Sequence, residues 1–547
     1  LGRVLGDGTR WYSERSARRG AREIERSYAD RGWTDCVVDA PEVVFDASGT
    51  RAEVTVHVRE GIRYRLASVA VEIDGASGLD AELVRGAWAG DVGKPFDERT
   101  RVEIGGRIEQ LFADRGYPDV RAELASRAAT TEGAVSLVFR VTPGPLVHVG
   151  DVTLRGNDST QDRFVKSRIA LRRGGLYTRA HERETLADLY RTGLFETAEL
   201  HWTPAADGVR DLEVELKEAP SLETWLEPGY GSYERARVSA GLRERNLFGT
   251  GRAFLVDGTA GALAWNGRGS LVDPWTFGRD TTAELSVFGG QREEPSFQRT
   301  ELGSRIQLTR SLGEHWEGSA AYQYKFSGID EVDVDALLDP ALTDDVDISS
   351  VTAALAHDTR DLVFDPTRGE SSRASVEVAT AVLGSELDFV RVRASHTSLV
   401  RLHEDETLLA IAFRTGWIVP TGGTQEIPLQ ERFFNGGEST VRSFREDHLG
   451  PRDADGTPIG GEAYNVLSAE IRQRLGGRWR AALFVDAGNV VTDHSDYFEL
   501  RGVRYGVGVG LRYSLPIGPL RLDAALNPDP EAGESDGAIH LSLGLAF

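Results

Sequence analysis

From about residue 221 to the C-terminus the chain alternates apolar with polar or very small residues, and little else. Val503, Tyr505, Val507, Val509, Leu511 and Tyr513 alternate with Arg504, Gly506, Gly508, Gly510, Arg512 and Ser514. Ile539, Leu541, Leu543, Leu545 and Phe547 repeat the pattern, as do Leu409, Ile411, Phe413 and Trp417. Successive strand side chains point to opposite faces, so each segment has one greasy and one polar face. A chain with this period must stack one sheet on another or close a sheet on itself. In a membrane only the closed form satisfies every backbone group, with apolar residues facing lipid and polar ones the lumen. About sixteen segments fit between 221 and 547, roughly 20 residues per strand and connection, which suits spanning strands of about 9–11 residues.

Connection lengths provide a second reading. With the first strand rising from the periplasm, long links are expected after odd strands and short turns after even ones. The longer links near 328–347, 418–462, 489–502 and 527–537 follow strands 7, 11, 13 and 15. Short ones around 246–249, 402–405, 475–477 and 516–519 follow strands 2, 10, 12 and 14. The acidic stretch from Asp330 to Asp347 is then an external loop.

Residues 1 to about 220 mix helical and strand periods instead, and this change of period marks a domain boundary, with Pro220 as a hinge. The segment repeats itself. Tyr12-Ser13, Phe96-Asp97 and Tyr177-Thr178 each place an aromatic before a residue whose side-chain oxygen can cap a helix. Each helix ends near a glycine, Gly32, Gly116 or Gly193, able to take the left-handed cap. Strands follow at Ala52–Val58, Val135–Val141 and Asp211–Leu216. Three modules of order β-α-α-β-β result, at 1–62, 63–145 and 146–220, the first expected to be incomplete at its N-terminal side and others expected to be possible upstream.

Composition removes several function classes. No apolar run reaches the roughly 18 residues of a spanning helix. The single cysteine, Cys36, rules out an internal disulfide framework and a multi-cysteine metal site. A formal charge of −23 argues against nucleic acid as a partner. No serine sits with a suitable histidine and acid, His357 and Asp358 point to opposite faces of a strand, and the glycine-rich runs near 436 and 460 lack the setting of a phosphate loop. No catalytic, cofactor or metal site is expected.

The strongest local pattern is Arg432-Phe433-Phe434-Asn435-Gly436-Gly437-Glu438-Ser439-Thr440-Val441-Arg442-Ser443-Phe444, followed by Phe484-Val485-Asp486-Ala487-Gly488. With the repeats, the turn Leu154-Arg155-Gly156-Asn157 and the element Thr192-Gly193-Leu194-Phe195, it resembles the BamA/TamA family of outer-membrane protein assembly factors. That resemblance covers most of the chain. It implies periplasmic POTRA domains before a 16-stranded barrel in the bacterial outer membrane, and makes 432–461 the long sixth external loop. Ser443 stands where the family usually has glycine, which would strain any positive-φ backbone there. Asp358-Thr359-Arg360-Asp361 with Pro366-Thr367-Arg368-Gly369 looks like the family's periplasmic turn after strand 8, and the terminal Phe547 like an outer-membrane C-terminal signal.

Alternation puts Phe484 and Asp486 inside the lumen, where a carboxylate needs a partner. An arginine on a loop folded back into the lumen can supply a bidentate, charge-assisted pair. Arg442 is the expected partner of Asp486, with Glu470 as a second candidate. The resemblance further implies that POTRA strand edges receive unfolded outer-membrane protein clients by strand addition. It also implies a weak seam between strand 1 (about Leu222 to Ser232, with Tyr230) and strand 16 (about Ala538 to Phe547, with Leu541, Leu543 and Leu545), with local thinning of the outer-membrane lipids beside it. Periplasmic or inner-membrane accessory proteins are possible partners. The alternatives are a two-partner secretion transporter, which three modules disfavour, and a passive channel or barrel enzyme.

Overall fold

In a computed structural model, residues 12–543 are described, apart from 49–50, 76–78, 80, 131, 205–207, 278–280, 335–339, 363–364, 404–406, 500–501 and 516–517. Leu545 and Phe547 therefore lie outside the described residues. The chain divides into Leu1–Ala219 and Pro220–Phe547.

The first unit opens with helix α1 (Glu14–Ala29) and four short strands, β1 (Val37–Val38), β2 (Glu42–Phe45), β3 (Ala52–Thr55) and β4 (Val58–Arg59). They pair as β1 with β4 and β2 with β3. The expected strand at Ala52–Val58 is thus two strands in two sheets. Next come β5 (Arg65–Ile73), α2 (Ala81–Arg85), α3 (Glu98–Ala113), β6 (Arg121–Ala129) and β7 (Ala134–Thr142). The last stretch has β8 (His148–Arg155), α4 (Asp162–Ser167), α5 (Arg179–Arg191), β9 (Phe195–Trp202) and β10 (Val209–Glu218). Both have the order β-α-α-β-β. Each forms a three-stranded sheet, β5-β7-β6 or β8-β10-β9, with the central strand parallel to one neighbour and antiparallel to the other.

Local chemistry explains the repeated helices. The side chains of Ser13, Asp97 and Thr178 accept from the backbone N–H groups of Ser16, Thr100 and His181. Each of these satisfies a donor that the first helical turn leaves open. Gly32, Gly116 and Gly193 take φ of 95°, 98° and 67°, the left-handed region that stops a helix. In the middle module Leu66, Phe96, Ile104, Ile108, Phe112, Leu137 and Phe139 close one dry core between helix and sheet.

The second unit is a closed antiparallel barrel of sixteen strands in chain order. They are β11 (Leu222–Gly231), β12 (Arg235–Leu247), β13 (Arg252–Gly261), β14 (Ala264–Asp273), β15 (Thr281–Glu293), β16 (Gln298–Ser311), β17 (Trp316–Asp330) and β18 (Val346–Asp358). β19 (Gly369–Ala379), β20 (Phe389–His403), β21 (Thr407–Pro420), β22 (Ala463–Gly476), β23 (Trp479–Val491), β24 (Arg504–Leu515), β25 (Gly518–Leu526) and β26 (Gly537–Leu543) complete it. The alternation sorts as read: Leu483, Val485, Tyr505 and Val509 are exposed on the outside, whereas Phe484 and Asp486 are buried within. No second sheet stacks on the barrel among the described residues.

The length rule needs correction at the start of the barrel. Links at 331–345, 421–462, 492–503 and 527–536 are long, but 232–234, 262–263 and 294–297, also after odd strands, are tight. Of these, the hairpin between β15 and β16 carries its ladder close to the turn, from Thr281 opposite Arg310 to Glu293 opposite Gln298.

Candidate functional site

The loop 421–462 between β21 and β22 brings its tip against the barrel wall. Arg442 is 1% exposed, and Asp486 on β23 and Glu470 on β22 are 0% exposed. Arg442 Nε donates to Asp486 Oδ2 at 2.8 Å and Nη2 to Asp486 Oδ1 at 2.9 Å. Nη1 donates to Glu470 Oε2 at 2.7 Å and lies 3.6 Å from Asp523 Oδ2 on β25. The guanidinium carbon sits 3.4 Å from the centre of the Phe484 ring. Arg442 therefore uses both edges of its fork and its face, which a lysine cannot do. Both carboxylates named from the sequence meet it.

Their surroundings balance the charge. Glu470 also accepts from Arg472 Nε at 2.7 Å and from Arg512 Nη2 at 3.2 Å, and Arg512 donates to Asp523. Three arginines face three carboxylates in a water-poor setting, where an unmatched charge would be costly.

The neighbouring motif residues make room for the tip. Val441 and Phe444 are buried with Leu449 and Val490. A Cβ at Gly488 would approach Val441 Cγ2 and the Asn465 carbonyl at 2.8 Å each, so the glycine of the Phe-x-Asp-x-Gly element is a slot for the loop. Gly436 and Gly437 adopt φ of 108° and 102°, which a side chain would strain. Ser443 does not share that conformation, so serine in place of glycine carries no positive-φ strain here; in this loop the non-glycine residue with positive φ is Asp447, at 59°. Ser443 instead donates from Oγ to the Tyr505 carbonyl at 3.1 Å, and its own carbonyl accepts from Ser535 at 3.2 Å.

The loop also touches both strands of the seam. His540 on β26 lies with Nε2 2.9 Å from the Arg442 carbonyl. On β11, a Cβ at Gly231 would come within 3.4 Å of the Glu438 carboxylate. Between the two strands themselves, the register among the described residues is the single pair Gly231 opposite Ser542, helped by Leu541 N–H donating to Ser232 Oγ at 2.6 Å. The flanking hairpin, by contrast, registers along its whole length from Leu222 opposite Glu244 to Gly231 opposite Arg235. Leu222 and Tyr230 on β11 are exposed, and neither registers with Leu541 or Leu543 on β26.

Sequence reasoning missed a second anchor at the root of the loop. Glu431 is 4% exposed and accepts from Lys325 Nζ (2.7 Å) on β17, Ser327 Oγ (2.9 Å) and Arg391 Nη2 (2.7 Å) on β20. Burial alone would raise its pKa, but Lys325 and Arg391 outweigh that and hold the carboxyl far below its usual range. A signal existed: Lys325 is the one lysine after residue 217. Glu462, Asp493 and His494 bring ligand-type atoms together near the other root, where His494 Nδ1 lies 2.6 Å from Glu462.

The Omp85 superfamily domain matches residues 246–547, more than half of the chain. The chain belongs to the Omp85 superfamily. This Omp85 protein is an outer-membrane β-barrel preceded by periplasmic modules of POTRA type. It is 24% identical over 538 residues to the outer membrane protein assembly factor BamA of Nitratidesulfovibrio vulgaris, covering 95% of this chain and 66% of that protein. Against BamA of Neisseria meningitidis serogroup B it is 23% identical over 593 residues, covering 98% and 73%. The Omp85 chain thus spans about two thirds to three quarters of these relatives. Its fold is similar to the crystal structure of BamA from Haemophilus ducreyi lacking POTRA domains 1–3, with a TM-score of 0.74 at 20% identity over 88% of this chain and 99% of that one.

One property of the loop is a matter of pH. Burial, and then the charge of Asp447, push the Glu446 carboxyl up to about 8; Glu438 acts in the same direction, and Arg292 opposes them. Burial and Glu294 likewise raise Asp447. A raised carboxyl pKa means that the docked loop holds a proton which the released loop gives up. Docking then weakens as pH climbs from the ordinary carboxylate range through about 8. Protease cutting within 421–462, relative to an unstructured substrate at the same pH, should increase between pH 6 and pH 9. Glu446→Gln should flatten that dependence.

Proposed function

We propose that this chain assembles β-barrel proteins into the outer membrane, acting on unfolded outer-membrane or autotransporter-type clients. The observation that carries this reading is the seam. Among the described residues, which end at Leu543, fifteen of the sixteen strand junctions register over at least seven residue pairs, while β11 and the described part of β26 share one, Gly231 opposite Ser542. An underpaired edge at membrane depth is costly and templates new pairing, so a client hairpin that joins it gains hydrogen bonds which lipid cannot supply. The three-stranded sheets of the first unit leave β5, β6, β8 and β9 as edges, which suits reception of extended client segments by strand addition. The relatives' names as assembly factors agree with this reading. Outer-membrane lipids and periplasmic or inner-membrane accessory proteins are the proposed partners. The loop anchored by Arg442 is read as a brace that spans the seam from inside, through Glu438 and His540.

A cysteine pair at Gly231 and Ser542 tests the seam. Residues opposite each other in an antiparallel ladder lie about 4.5–5.5 Å apart, within disulfide range. Oxidised Gly231→Cys/Ser542→Cys protein in proteoliposomes should lose client insertion at least tenfold, and a reducing agent should restore it. Each single variant should insert at close to the normal rate. Unchanged insertion in fully oxidised protein would remove the seam from the mechanism.

A further inference from the structure

The tip of the loop 421–462 and its root at Glu431 rest on carboxylates that face arginine or lysine. The other root does not. Glu462 is 8% exposed and sits immediately before β22. His494 answers its carboxylate: Nδ1 lies 2.6 Å from Oε2, and the His494 backbone N–H donates to the same oxygen at 3.2 Å. Asp493 Oδ1 stands 3.5 Å from the same Nδ1. Ligand-type atoms of the three residues all lie within 4.8 Å of one another. Among the described residues, no arginine or lysine comes within ion-pair distance of Glu462 or Asp493. Arg432 acts on the charge of Glu462 from further off, and its Nε and Nη1 donate to the carbonyls of Ile427 and Ile459.

An imidazole, unlike a guanidinium, carries no permanent charge. Two carboxylates, one of them almost removed from water, therefore stand together without a matching fixed cation, which is costly. A divalent ion would supply the missing charge. The three side chains are held in place by bonds of their own. Glu462 N–H donates to the Val491 carbonyl at 3.0 Å, which carries the pairing of β22 and β23 up to the cluster. Asp493 accepts from the Ser495 N–H at 2.8 Å and precedes the short 3-10 turn His494–Glu499. In that turn the Tyr497 ring lies 5.2 Å from the Trp417 ring, and its hydroxyl is 2.7 Å from Thr415 Oγ1. Spacing along the chain hides the cluster, because Glu462 and His494 are 32 residues apart and belong to different loops.

We infer that Glu462, Asp493 and His494 bind one divalent transition-metal ion of the zinc type at the external end of the barrel. An imidazole nitrogen beside two carboxylate oxygens suits Zn2+, whereas Ca2+ and Mg2+ take oxygen ligands. On a tetrahedral ion with bonds of about 2.0–2.2 Å, two ligand atoms lie about 3.4 Å apart. The 3.5 Å between Asp493 and His494 already matches, and the 2.6 Å between His494 and Glu462 has to open by about 0.8 Å. The proton between Nδ1 and Oε2 passes to Nε2, which leaves the Nδ1 lone pair to the ion. Water takes the fourth position and reaches it past Asp493, the exposed member of the three. The ion would staple the root of the loop 421–462 to the loop 492–503. The site stands apart from client insertion, and its test does not use that activity.

The full chain, treated with a chelator and then freed of it, is placed in nanodiscs of phosphatidylcholine, and ZnCl2 is titrated by calorimetry in a buffer that does not bind the ion. Saturable one-to-one binding is expected. Removing a group that only orients a metal ligand costs about 10–100-fold in affinity, so removing a ligand should cost at least as much. His494→Gln should weaken binding about 100-fold, and Asp493→Asn, which can still accept from Ser495, about tenfold. Zn2+ should slow protease cutting within 492–499 in the wild type and leave it unchanged in His494→Gln. Circular dichroism checks that the barrel persists; should His494→Gln not fold, Asp493→Asn, altering an exposed side chain, decides. No binding by the wild type, or equal binding by wild type and Asp493→Asn, overturns the site. Wild-type cutting that Zn2+ leaves unchanged overturns the staple between the two loops.

Discussion

Asp486→Arg is expected to expel the loop tip from the lumen and abolish client insertion in the same step. The substitution removes both oxygens that hold Nε and Nη2 of Arg442 and puts a second guanidinium beside the first. Arg442 and Asp486 are both essentially inaccessible to water, so solvent cannot absorb the mismatch. Breaking a buried pair on one side costs about 3–5 kcal/mol, which corresponds to a shift of roughly two to four powers of ten in the docked-to-released ratio of the loop. Protease cutting within 421–462 should change from slow to immediate. Arg442→Asp should do the same. The combined reversal should rescue only in part, since an aspartate at 442 would face Glu470 and Asp523, which contact the native guanidinium at 2.7 and 3.6 Å. Arg442→Lys keeps the charge and loses the fork, and should fall between wild type and the reversals. If Asp486→Asn left the loop as protected as in the wild type, the pair would not be its anchor.

The strands were legible in the sequence because one face had to meet lipid and the other the lumen, leaving a period of two that no other demand erased. Phe484 and Asp486 could be placed inward from Leu483 and Val485 alone. The helix starts were legible for a local reason: Ser13, Asp97 and Thr178 cap by bonds that span three residues. What escaped was set by distant contacts. The choice of Arg442 between Asp486 and Glu470 stayed open because it depends on the depth of the loop, and the structure uses both. Asp523 and Arg512, far along the chain from Arg442, join the same cluster only through closure of the barrel. Ser443 was read against a glycine preference, yet its neighbour Gly506 gives up the space: a Cβ there would meet Ser443 Oγ at 2.7 Å. The short early hairpins escaped because the alternation within a strand carries no record of the length of the connection that follows it.

Glu431 is the position where a single change should do as much damage with no alteration at the loop tip. Its carboxylate is the common partner of Lys325 and Arg391, cations from two strands that β18 and β19 separate in the barrel wall. Glu431→Ala would leave both cations buried, with Glu301 (3.0 Å from Lys325) and Glu377 (3.0 Å from Arg391) as their remaining carboxylates. The loss should approach the lower end of the 3–5 kcal/mol range for a broken buried pair, because each cation keeps one partner. Glu431→Gln retains the shape and one acceptor oxygen, so the difference between the two variants measures charge apart from packing. The effect should appear first at the root: Ile427 and Leu429, both fully buried, should gain hydrogen exchange before Val441 and Phe444 do. In Asp486→Arg the order should be reversed, with the tip exchanging first. Two anchors that release in opposite orders would mean that the loop is held at both ends independently. Identical exchange patterns in the two variants would instead make the loop one cooperative unit, in which Glu431 and Asp486 act through a single docking equilibrium.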